Sequence, residues 1–315
     1  MPTPLIPQEI YLLERYSSLE YYGLARDAWE DMVKYVEACL ERFMLNLPLD
    51  YRSRPLPEQP DIVWGGRALP NFHNTLRELN DGYIRLTHGD YVGLEAACCV
   101  RNDFTGQREF SYAWFDEVEA GGSAHYFKLL IRAVHYAGNI EPTAGSYWIK
   151  TALTTDYFEP GRGALDPPQA WPRYRVNLKV QVKTGDPVPR TGVYLPDIDD
   201  GCAQMLIAGK PAAPASVGYD SETTQNVSES PTLWTLVERV AGETVPLEHG
   251  LGTVDPLQQR VPAGENVPQS GWWFTPAQEN SRCYIKLGDV FPSIEGSTYG
   301  ATFWQWSPDQ SSPKL

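Results

Sequence analysis

Two acidic clusters are the residues in this sequence whose types and spacing come nearest to chemistry. Asp116, Glu117 and Glu119 close an expected helix, and Asp197, Asp199 and Asp200 sit on an expected turn between strands. Paired carboxylates hydrolyse glycosides when they face each other across a sugar-binding cleft. Here the pairs are present, but their spacing does not set them across a cleft. The Asp197-Ile-Asp-Asp200 run also offers oxygen ligands, although it lacks the roughly twelve-residue pattern of a calcium loop. Exposed acids are most often simply solvated. Their other use is as contacts for a basic partner protein, and these six residues form the candidate partner-binding set.

The remaining reactive side chains assemble no site. His125 and His135 stand ten residues apart on one expected helix, a rise of about 15 Å that prevents them from sharing a metal ion. They and His73 read as partly buried members of aromatic packing. The sequence contains no His-Glu-x-x-His, no Cys-x-x-Cys, no phosphate-cradling glycine loop and no Gly-x-Ser-x-Gly elbow. No catalytic residue, cofactor or metal is assigned. Two other classes stay open: a hydrolase using carboxylates or histidines, and a glycan-binding module with tryptophan platforms. The tryptophans are densest at Trp272-Trp273 and Trp304-Gln-Trp306, and in each pair one ring is expected inward and the other outward.

Composition narrows the partners. Forty acidic residues against 26 Lys plus Arg give a net charge of −14, which argues against nucleic acid or an anionic membrane, since phosphate binding requires a basic face. No apolar run approaches the roughly eighteen residues of a membrane span, and the proline-rich start has no secretory character. Five scattered cysteines, two of them adjacent, fit free thiols in a reducing cytoplasm.

The elements that must position these residues divide the chain. Residues 1–157 read as a helical domain. A proline-free run from Ile10 to Leu47 carries Trp29, Val33, Val36, Leu40 and Phe43 on one stripe. A second helix is expected after Pro70, capped by Asn71, with Phe72, Leu76, Leu79, Tyr83 and Leu86 as its stripe. Further helices are expected at Tyr91–Val100, Glu109–Glu119 and Ala124–Ala137. Residues 158–174, rich in Pro and Gly, read as a linker. Strict alternation over Arg175–Lys183 opens a β domain, 175–315.

That β half repeats itself. Gly185-Asp-Pro-Val-Pro-Arg-Thr-Gly-Val-Tyr-Leu-Pro196 matches Gly264-Glu-Asn-Val-Pro-Gln-Ser-Gly-Trp-Trp-Phe-Thr-Pro276, and each copy runs on through a cysteine, a glycine and a proline to Thr-x-Trp. Gly192 and Gly271 lie 79 residues apart, Trp234 and Trp304 only 70; a polar insertion, Gly218–Ser230, accounts for the difference. The expected fold is therefore α+β: a helical bundle followed by a mostly antiparallel domain of two duplicated small modules, about 175–243 and about 260–308. Gly192, Trp234, Gly271 and Trp304 form the repeat's structural core.

Several motifs carry a family likeness. Pro-Asp-Ile-Val-Trp-Gly-Gly-Arg-Ala-Leu-Pro-Asn71 and Asp81-Gly-Tyr-Ile-Arg-Leu-Thr-His-Gly-Asp90 resemble the helical half of bacterial immunity proteins encoded beside polymorphic toxins. Val188–Pro196, Pro231–Arg239, Gly271–Phe274 and Tyr299–Trp306 are similar to their second half. These proteins are associated with type VI secretion effectors in proteobacteria. The resemblance implies a cytoplasmic, non-enzymatic inhibitor, monomeric or homodimeric, that binds a cognate toxin stoichiometrically, and it carries over no site residue.

Overall fold

The computed structural model describes residues 3–307 apart from 109, 221–222, 224, 248–259, 276–277, 279–280 and 295–301. Helix α1 (Pro7–Tyr16) and helix α2 (Leu19–Leu45) replace the single helix expected from Ile10 to Leu47. Two serines make the break. Ser17 and Ser18 donate their hydroxyls back to the carbonyls of Leu13 (2.8 Å) and Arg15 (2.7 Å), and Ser18 Oγ accepts from Tyr21 N at 3.1 Å. Hydroxyls that compete for backbone groups end one helix and cap the next. The expected stripe of α2 is inward: Trp29, Val33, Val36 and Phe43 are buried and Leu40 half-buried.

An eight-residue π-helical stretch, Asp61–Ala68, runs directly into α3 (Leu69–Thr87), so Asn71 is an interior residue and caps nothing. Proline at the second helical position has its φ preset for the helix and lets the chain continue. A tight 3-10 segment, Tyr91–Ala97, leads into α4 (Cys98–Gln107). Helix α5 is only Trp114–Val118, shorter than expected, and Glu109 lies outside the described residues. Helix α6 (Gly122–Gly145) starts after Gly121, whose φ of +80° suits glycine, and extends well past Ala137. At the bundle's centre Trp64 meets Phe72, Trp114, Phe115 and Tyr126 edge to face, at centroid distances from 5.2 to 6.3 Å. Its indole N–H donates to Ser111 O at 2.9 Å, so burying this ring leaves its polar atom bonded.

Residues 158–174 are not a free linker. They hold a short helix, α7 (Glu159–Arg162), and strand β1 begins at Trp171, four residues before the expected β boundary. Side chains of the bundle tie this stretch down. The Arg162 guanidinium lies 4.4 Å from the Trp148 ring, Asn139 Nδ2 donates to Arg162 O, and Arg15 Nη1 donates to Leu165 O. Proline and glycine break regular structure, but they do not prevent docking when charged and aromatic neighbours supply partners.

The β half contains two four-stranded antiparallel sheets of the same design. In the first, β1 (Trp171–Lys183), β2 (Gly192–Pro196), β3 (Gln204–Leu206) and β6 (Leu233–Val245) lie in the order β1-β6-β2-β3. Between them β4 (Ala215–Val217) pairs with β5 (Ser228–Ser230), so the insertion Gly218–Ser230 ends in a strand that folds back on the residues just before it. In the second sheet β7 (Val261–Pro262), β8 (Gly271–Phe274), β9 (Cys283–Ile285) and β10 (Phe303–Trp306) lie in the order β7-β10-β8-β9. The registers match as well. Gly192 pairs with Leu206 and Gly271 with Ile285; Val182 pairs with Trp234 and Val261 with Trp304. The indoles of Trp234 and Trp304 both donate at 2.8 Å, to Ala213 O and Pro292 O respectively. The duplication read from the sequence is thus a duplication of backbone hydrogen bonding. Trp304 and Trp306 both turn towards the module core, because residues two apart share a face of a strand. Pro276 and residues 299–301 of the quoted motifs lie outside the described residues.

The helical domain and the first module share one core. Val193, Leu195, Met205 and Val237 are buried with the helices, while Trp234 and Trp304 belong to separate clusters inside their own modules. Among the described residues no helix is long and apolar enough to cross a membrane.

Candidate partner-binding groove

A concavity lies where the helical domain, the first module and the second module come together. It is a half-open groove of about 670 Å³. Its helical wall is the segment Thr3–Ile6 with Glu9, and Lys150, Thr151 and Thr154 after α6. The first sheet supplies Val176, Leu178, Leu195, Leu233 and Thr235, and the second module closes the far side with Arg260, Gln305 and Trp306. Asp197, Asp199 and Asp200 form part of the rim.

Local irregularities shape this space. Opposite neighbouring residues Leu236 and Thr235 of β6, strand β1 advances from Asn177 to Gln181. The extra residues bulge out of the ladder, as bulges do near binding sites, and leave Leu178 70% exposed at the groove. On the rim, Asp200 (φ +64°) and Thr151 (φ +68°) both adopt left-handed backbone, a state that costs a β-branched residue about 1–3 kcal/mol. Thr151 is held by Thr154 N and Asp156 N, which donate to its carbonyl at 2.8 and 3.1 Å, and Asp200 by Gly218 N, which donates to its carbonyl at 2.8 Å. The Lys150 ammonium pairs with the Asp200 carboxylate across the gap. Thr3 Oγ1 donates to Ile198 O at 2.9 Å, fixing the N-terminal segment against the acidic loop.

Glu9 is the unusual group of the site. It is 3% exposed and its Oε2 accepts from Ala203 N at 3.1 Å. Burial pushes its carboxyl up to about 7, only partly offset by that N–H. The adjacent Cys202 thiol is raised well above its ordinary value by burial and by the Glu9 charge. Glu9 carries no local sequence signal, because its environment is built by residues 194 positions away.

The two acidic clusters have different fates. Asp197, Asp199 and Asp200 are exposed on the groove rim. Asp116, Glu117 and Glu119 do not line it and are engaged within the bundle. Asp116 accepts from Ser123 Oγ and from Ser123 N at 3.1 Å, which holds its carboxyl below the usual range at the start of α6. Glu117 takes both oxygens to Arg54 Nη1 at 2.9 and 3.0 Å. Glu119 pairs with Arg42 at 2.7 Å and accepts from Tyr35 OH at 2.9 Å, and these bonds lower it. This cluster pins α5 and its flanks to their neighbours, a job that charge spacing alone did not reveal.

The histidines depart from the partly buried aromatic packing expected of them: His135 is half-buried, whereas His125 and His73 are exposed. His125 stacks on Tyr35 at 4.5 Å, His135 bonds Pro160 O at 3.0 Å, and His73 meets Glu37 at 2.9 Å. Gly192, Trp234, Gly271 and Trp304 stand at equivalent points of the two sheets and away from the rim. Eight of the ten tryptophans are buried, and only Trp272 and Trp306 are half-buried, so no row of exposed rings forms a platform. Among the described residues no group of three or more His, Cys, Asp or Glu is arranged to hold a metal ion. No protein family, curated protein or solved structure matches the chain.

Proposed function

We propose that the chain is a cytoplasmic immunity protein that neutralises a cognate secreted toxin, a type VI secretion effector, by stoichiometric binding. The observation that carries this reading is the groove itself. Apolar side chains (Val176, Leu178, Leu195) lie beneath a rim that presents Asp197, Asp199 and Asp200 to solvent. Such a surface suits a protein segment with apolar anchors and basic flanks, the usual composition of an interface core and its rim. The overall charge of −14 supports a basic partner by steering its approach. A reducing compartment is supported by five cysteines of which no two are joined. The test is co-expression with the toxin encoded beside it, read as cell survival, and co-elution of the purified pair. Failure of both results removes the reading.

A second reading has one observation in its favour. A groove bordered by a buried carboxyl near 7 is the arrangement expected of a general acid–base site. A hydrolase would turn over a polymer or metabolite, and Glu9→Gln would abolish that turnover. The inhibitor reading expects Glu9→Gln to protect cells as well as the parent protein does.

A further inference from the structure

Arg162, at the end of α7, is a cation without a counter-ion. It is half-buried, with its guanidinium 4.4 Å from the Trp148 ring. Arg15, Arg26 and Arg54 are half-buried too, and each meets a carboxylate: Asp166, Asp27 and Glu117 respectively. Arg162 meets none among the described residues. Its side chain makes one long hydrogen bond there, 3.5 Å from Nη1 to Asn139 Oδ1. A guanidinium carries five N–H donors, and Nε and Nη2 have no partner among the described residues and are not sealed from solvent. Burial draws Arg162 below its ordinary value, as expected of a charge held without its opposite.

A second free donor lies beside it, and Asn139 joins the two. Asn139 is fully buried; its Nδ2 donates to Tyr21 OH at 2.9 Å, and its Oδ1 is the partner of Arg162. Tyr21 is 4% exposed, and its hydroxyl accepts that bond but donates none among the described residues. The neighbouring groups are already used. Tyr157 OH donates to Gly163 O at 3.1 Å and bonds Tyr16 OH at 3.3 Å, and Arg15 Nη1 donates to Leu165 O at 2.8 Å. Covered donors without acceptors are costly, so this cluster is short of one negatively charged acceptor. Arg162, Asn139 and Tyr21 do not line the groove.

We propose that Arg162 and the Tyr21 hydroxyl form a binding site for a carboxylate. The Trp148 ring takes one face of the guanidinium and leaves its edge, which receives a carboxylate through two parallel N–H bonds. One unmatched positive charge suits one negative charge. A net charge of −14 repels a phosphate dianion more strongly than a carboxylate. A free small acid and the C-terminus of a peptide present the same group, and either enters this site whether or not a toxin occupies the groove.

The test is nuclear magnetic resonance on the full chain. It reads the Arg162 Nε–H signal and the Trp148 indole N–H, which donates to Thr143 Oγ1 at 2.9 Å. Acetate and benzoate stand for free acids and N-acetylalanine for a peptide terminus, each against chloride at equal ionic strength. Saturable shifts of both signals with a carboxylate and none with chloride are expected, and the tighter arm identifies the source. Arg162→Gln is expected to weaken the Trp148 response at least tenfold and Tyr21→Phe severalfold. Should Arg162→Gln release α7, seen as lost amide protection over 159–163, Tyr21→Phe and the parent's Arg162 signal decide. No saturable shift at Arg162, equal shifts at the exposed Arg77, or tighter binding of inorganic phosphate overturns the proposal.

Discussion

Glu9 gives the molecule a pH dependence that reaches up to neutrality. In the unfolded chain its carboxyl titrates near 4.5, and in the folded protein near 7. Between those values the folded state holds a proton that the unfolded state has lost, so stability is fully present below about pH 4.5 and falls as pH rises through 7. A shift of this size corresponds to roughly 3 kcal/mol. Glu9→Gln keeps the acceptor for Ala203 N and removes the titration. Its melting midpoint is expected to change less between pH 5 and pH 8 than that of the parent protein, and equal slopes for the two would refute the assignment. Asp200 calls for a different choice of substitution. Asparagine tolerates left-handed backbone, so Asp200→Asn removes the charge paired with Lys150 without disturbing the turn.

Among the elements, the α1–α2 break and the two Trp-centred modules make separate claims. Ser18→Ala removes the acceptor for Tyr21 N and is expected to cost about 1 kcal/mol in urea unfolding. A loss near zero would mean that the neighbouring packing sets the break. Trp304→Ala opens a cavity in a small cluster that shares no member with the bundle core, and large-to-small changes of this kind cost about 3–5 kcal/mol. Hydrogen exchange is expected to accelerate over 261–307 while α2 and β6 stay protected. Uniform acceleration along the chain would show that the modules unfold together. At this scale periodicity was informative: the Trp29–Phe43 stripe and the repeat both reappear in the fold, since each rests on local spacing. The Ser17–Ser18 break and the π-helical lead into Pro70 were hidden, because they depend on hydroxyl bonding and on backbone geometry that residue spacing does not encode. The early start of β1 at Trp171 was masked by the prolines around it.

For the whole molecule, the consequence of the groove lies in association kinetics. On the proposed inhibitor reading, Asp197→Asn, Asp199→Asn and Asp200→Asn together reduce the negative rim that a basic partner would approach. The on-rate is expected to fall severalfold at low ionic strength and to converge with the parent's at high salt, as surface charge is screened. Stopped-flow mixing with the toxin at two salt concentrations measures this; an effect confined to the off-rate would place the acids within the contact core. Half of the candidate site was legible in advance. The Asp197–Asp200 loop reads directly as a turn, whereas the groove beneath it is assembled from Thr3, Glu9, Leu178 and Trp306, residues too distant in the chain for any motif to unite. The other acidic cluster was legible as charge, but its ties to Arg54, Arg42 and Ser123 depend on helix packing.

The paired registers of the two sheets also bear on how this chain can change. One copy has its outer face committed to the helices, where each side chain is constrained by its neighbours. The other repeats the scaffold with Trp272 and Phe274 half-buried and Tyr284 exposed at the equivalent positions, so fewer of its side chains are fixed by complete burial. A scaffold duplicated this way can accept sequence change in one copy while the other is held still by the helices it packs against.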